Sequence, residues 1–74
     1  MTDTTEIKQA IRAIDPLLAD QWLKKLGEVP DDEGPFDRIP DEVKTLWPAL
    51  PYEARMAILL MAAIAFAEDS LEPF

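Results

Sequence analysis

The sequence predicts an all-α fold: a small compact bundle of three helices plus one short helix, with an apolar C-terminal helix at its centre. Three observations predict it. Residues 56–67 (MAILLMAAIAFA) run for twelve positions without a polar side chain. Apolar residues recur at helical spacing in three other segments, and no stretch alternates with a period of two. Prolines and glycines fall at the edges of these segments, where they start or stop a helix. The expected helices span about 3–14, 16–26, 40–47 and 51–69, with an acidic, proline-rich loop at 27–40, all in a single domain of 74 residues.

The first helix has Asp3 as its N-cap and Glu6 three residues on, close to a capping box. Its apolar face is Ile7, Ala10, Ile11 and Ile14. Lys8 and Arg12 share a polar flank, and two like charges read as a solvated face. Asp15-Pro16 is a boundary, because the residue before proline avoids the α region while Asp and Pro suit the N-cap and first helical position. The second helix carries Leu18, Trp22 and Leu26 at i, i+4, i+8, with Leu23 beside them. Trp22 is expected in the core. Asp20 and Lys24 are spaced as a helix-face ion pair, and Gly27 is expected as the C-terminal stop.

The third, short helix begins at Pro40, with Asp41 and Glu42 on its positive end. Val43, Leu46 and Trp47 form its apolar face, and Pro48 and Pro51 bracket a corner. The fourth helix opens at Pro51 with Glu53 in its first turn. It is rich in Ala, Leu and Met, strong helix formers. Its large side chains point in every direction, as in a helix buried in a core or against a partner. Met56, Ile58, Leu59, Leu60, Met61, Ile64 and Phe66 are expected to be buried. Leu71, Pro73 and Phe74 form a tail expected to fold back. The apolar run is too short for a membrane span: twelve residues rise about 18 Å, and a span takes roughly 20 residues.

Composition narrows the chemistry. A chain this short buries only about 60% of its unfolded surface, and disulfides, metals or partners often support such domains. There is no Cys and no His, one Ser (Ser70) and one Tyr (Tyr52). The expectation is therefore no enzyme, no cofactor and no metal, and a cytoplasmic setting. Fifteen acids oppose seven bases for a net charge of −8, and the bases are scattered. That disfavours direct binding to nucleic acid or to anionic membranes. It favours a basic protein surface.

The charge is concentrated. Residues 28–42 (EVPDDEGPFDRIPDE) hold seven acids and one Arg, −6 of the −8 total. Pro30, Pro35 and Pro40 stiffen the segment, and Phe36 and Ile39 are candidates to pin it to the body. Long connections in small domains are usually functional or disordered. Asp31, Asp32, Glu33 and Asp37 offer oxygens to Ca²⁺. An EF-hand register through Gly34 nevertheless puts Val29 at the first ligand position and Pro40 at the twelfth, so that motif is rejected. The segment is instead expected to contact a partner through Asp31, Asp32, Glu33, Asp37, Asp41 and Glu42, with Phe36 as an apolar anchor.

No family motif is recognised. In size, acidity and lack of catalytic residues the chain is similar to small phage-encoded inhibitors of host defence, anti-CRISPR proteins and DNA mimics among them. Small antitoxins and assembly subunits share this composition. The expectation is an acidic module that inhibits or regulates a basic, nucleic-acid-binding partner. The alternative is an assembly subunit that self-associates as a homodimer through the apolar helix, with Ala63 and Ala67 permitting close approach.

Overall fold

The structure is a computed structural model that describes residues 4–28 and 30–71, with the side chains of residues 70 and 71 left aside. Its elements are α1 (Thr4–Ile14), α2 (Ala19–Lys25), a 3-10 turn (Gly34–Arg38), α3 (Asp41–Leu46), a second 3-10 turn (Trp47–Ala49) and α4 (Tyr52–Leu71). No strand occurs among the described residues, and the fold is all-α. Asp3, Pro73 and Phe74, for which a cap and a folded-back tail were expected, lie outside the described residues, as does Val29.

α1 buries Ile7 and Ile11 and half-buries Ala10 and Ile14, the face its spacing predicts. Asp15 ends it and caps the next segment. Its Oδ1 accepts from the N–H groups of Leu17 and Leu18, both at 3.1 Å, satisfying two donors that a helix start leaves without partners. Residues 16–18 form a turn, so α2 begins three residues later than expected. Leu18 therefore faces outward instead of joining Trp22, while Ala19, Trp22 and Leu26 are buried. Asp20 pairs not with Lys24 on its own helix but with Arg12 of α1, at 3.2 Å.

Gly27 does not adopt the left-handed conformation of a C-terminal stop. Among the described glycines the left-handed one is Gly34, with φ of 54°, at the start of the first 3-10 turn and not at a helix end. It turns the chain into the first 3-10 turn, where the Phe36 N–H donates to the Glu33 carbonyl at 3.0 Å and the Ile39 N–H to that of Phe36 at 3.1 Å. Pro35, Phe36 and Ile39 are buried here. α3 starts as its sequence suggests, the Pro40 carbonyl accepting from Val43 and Lys44 at 3.0 Å each.

α4 packs against α1 and the first 3-10 turn. Its buried stripe is Met56, Leu59, Ala62 and Ala63. Full burial of a Met or Leu side chain contributes about 1.5–3 kcal/mol. Phe66 meets Trp22 edge to face, centroids 6.4 Å apart. The expectation of burial all round fails on one side: Met61 is 63% exposed and Ile64 43% exposed. Three short elements cover only part of a 20-residue helix, and the rest of its apolar surface faces outward. Ala63 is spent inside the fold rather than left for a partner helix.

One side chain ties the corner together. Arg55 donates from Nε to the Trp47 carbonyl at 3.0 Å, from Nη1 to that of Leu26 at 3.0 Å and from Nη2 to that of Pro48 at 3.2 Å. The Leu26 oxygen also accepts from the Trp47 indole at 3.2 Å. Among the described residues no buried side-chain nitrogen or oxygen lacks a partner.

Candidate functional site

The acidic segment is held against the body from below. Phe36 is only 1% exposed, with Pro35 and Ile39 buried beside it. Of its two expected roles, Phe36 takes the structural one, and a side chain so enclosed offers no surface to a partner. The Lys25 ammonium sits 6.0 Å from the centre of its ring.

Six of the seven acids, all but Glu28, divide into two groups. Glu33 and Asp32 are tied inward: Lys25 Nζ donates to Glu33 Oε2 at 2.6 Å, and Lys44 Nζ donates to Asp32 Oδ1. The hydrogen bond to Glu33 raises the Lys25 pKa, and the charges of Glu33, Asp31 and Glu28 add to it. The same hydrogen bond, with the charge of Lys25, holds Glu33 below the ordinary range of a glutamate. Lys44 is raised likewise, first by its hydrogen bond to Asp32, then by the charges of Asp32, Asp41 and Asp37. The second group, Asp31, Asp37, Asp41 and Glu42, is exposed and makes no ion pair with another described residue. Asp41 and Glu42 also occupy the first turn of α3. The segment therefore carries four exposed acids without an ion pair among the described residues, while Lys25 and Lys44 each hydrogen-bond one of the other two and feel the charge of Asp31, Asp37 and Asp41 as well.

The sequence reading missed two depressions, one of them bordering this segment. One is an apolar groove of about 300 Å³ between the Pro40–Val43 side of α3 and the Ile58, Met61, Ala62 and Ala65 stripe of α4. Arg38 closes one end, paired with Asp69 at 2.6 Å. The i, i+3, i+4, i+7 spacing of the four α4 residues was the available signal, hidden because every neighbour is apolar too. The other, of about 430 Å³, gathers Lys8, Arg12 and Lys24 round Leu23 and Tyr52, with Asp20 among them. Lys8 and Arg12, read as a bare flank, thus gain a third cation from α2.

Among the described residues no three acids converge as metal ligands would. No described helix is long and apolar enough to cross a membrane. Compared with known proteins, the chain matches no family model, no curated protein and no solved structure.

Proposed function

We propose that the chain is a protein-binding module whose acidic face docks on a basic protein surface, inhibiting or regulating a nucleic-acid-binding partner. The observation that carries this reading is the burial of Pro35, Phe36 and Ile39 beneath exposed Asp31, Asp37, Asp41 and Glu42. A segment already pinned to a core loses little freedom on binding, so its charges act without a large ordering cost. Charge complementarity then speeds encounter and selects partners. A basic cleft that normally holds phosphates is the surface that such a face fits.

The test is capture from a lysate with the wild type and with the D31N/D37N/D41N/E42Q variant, followed by binding of the purified partner across a salt series. The variant is expected to associate more slowly and with a flatter salt dependence. Equal rates and equal slopes would overturn the reading and leave the segment as a solubilising surface.

A second reading is self-association through α4, favoured by the exposure of Met61 and Ile64. Apolar patches of this kind mark interfaces. Sedimentation that gives a single 8.3 kDa species at high concentration would end it.

A further inference from the structure

We infer that the groove between α3 and α4 is the apolar subsite of the acidic face, and that it takes an amphipathic helix of the partner with basic residues along its flanks. The inference rests on the acidic-face reading and supplies what that reading lacks, since Phe36 is enclosed and charges alone define no register.

The groove has the form that such an occupant requires. Ile58, Met61, Ala62 and Ala65 make a continuous apolar stripe, and Pro40 and Val43 stand opposite. The two alanines leave the space open between the larger walls. From Ile58 to Ala65 the stripe rises about 10 Å, roughly two helical turns. Helix-in-groove recognition places apolar anchors of the incoming helix at i, i+3, i+4 and i+7 in such a channel. No strand edge exists among the described residues for an extended peptide to join.

Charge selects the occupant. Asp41 and Glu42 do not line the groove, but they follow Pro40 in the chain and are exposed in the first turn of α3, the element that supplies its wall. The one cation lining the groove, Arg38, is neutralised by Asp69. Basic flanks meet the α3 acids with opposite sign. A second copy of this chain would bring a net charge of −8, and its own Asp41 and Glu42, to the same seam. Like charges brought together in this way oppose association.

Two synthetic Leu/Lys peptides of equal composition test the inference. One has leucines at i, i+3, i+4 and i+7; in the other they are scattered so that no face forms. Binding is followed by fluorescence anisotropy to the wild type, M61Q, A65L and D41N/E42Q, each checked for helicity. Met61 is exposed, so M61Q changes the groove wall without opening the core, and A65L fills the channel.

The patterned peptide is expected to bind the wild type at least about tenfold more tightly than the scattered one, the scale of one interface anchor. M61Q and A65L should each erase that difference. Equal binding of the two peptides, or a difference that survives both variants, would overturn the groove as the subsite while leaving the acidic face standing. D41N/E42Q should weaken both peptides and flatten their salt dependence. No effect of D41N/E42Q would overturn the basic flanks and count against the acidic face itself. A dimer in sedimentation that M61Q dissociates would overturn the inference in favour of a second copy.

Discussion

The Nη1 of Arg55 donates to the carbonyl oxygen of Leu26 at 3.0 Å, joining residues 29 apart in sequence. With its other bonds, to the Trp47 and Pro48 carbonyls, the guanidinium spans the end of α2, the corner after α3 and the start of α4. Arg55→Met keeps the aliphatic stem and removes every donor. It is expected to cost about 2 kcal/mol, because hydrogen bonds from a charged group are worth more than neutral ones. For a chain of this size that is roughly 10 °C in melting temperature. Arg55→Lys should recover only part, since a point charge cannot reproduce the planar fork. Thermal melts within about 0.5 kcal/mol of the wild type for Arg55→Met would show that the fork contributes nothing.

The positive φ expected of Gly27 as a helix stop is found instead at Gly34. Gly34 is left-handed at φ 54°, and a Cβ there would meet only the Trp22 indole nitrogen at an ordinary 3.6 Å. The obstacle to a side chain is backbone conformation, not space. Gly34→Ala is expected to destabilise by about 1–2 kcal/mol. Gly27 has no positive φ and nothing within 4 Å of a built Cβ. Gly27→Ala should be neutral or raise stability by up to about 1 kcal/mol, through the entropy of the unfolded chain. Chemical denaturation of the two variants separates them, and a Gly27→Ala loss as large as that of Gly34→Ala would contradict the assignment.

What was legible in the sequence was local. The Ile7 and Ile11 face follows from spacing within one helix, and the Asp15 cap from two adjacent residues. The orientation of α4 was not legible, because no polar side chain between residues 56 and 67 marks a solvent side. The division of the acids was hidden for a related reason. Asp31, Asp32 and Glu33 are neighbours in one run, but their pairing depends on Lys25 and Lys44, 8 and 12 residues from their partners. The Arg55 contacts depend on carbonyl groups, which leave no trace in a pattern of side chains.

The orientation of α4 gives a direct test. Leu59 is fully buried and Ile64 is 43% exposed. Leu59→Asp puts an unpaired charge in the core and is expected to cost about 4 kcal/mol or more, unfolding much of the population. Ile64→Asp, in the same helix, should cost about 1 kcal/mol or less. Far-UV circular dichroism and melting temperature report both. Loss of structure in the Ile64 variant together with tolerance in the Leu59 variant would mean that α4 is rotated from the orientation described.

The Lys25–Glu33 pair sets the expected response to pH. The folded state holds Glu33 below the ordinary glutamate range. Its contribution is therefore complete above that range and fades as pH falls through the lowered value. Lys25 is raised, so its contribution is complete below the ordinary lysine range and fades only as pH climbs through the raised value. Between these limits the pair contributes a constant amount. Both partners are well exposed to water, so that amount is small. Glu33→Gln should accordingly melt slightly below the wild type by a margin that is flat from neutral to mildly alkaline pH. The margin should shrink as the medium is acidified below about pH 4, and also at about 1 M salt, where the screening length falls to roughly 3 Å. A margin that persists in acid and in high salt would assign the effect to the shape of the turn at Glu33 rather than to its charge.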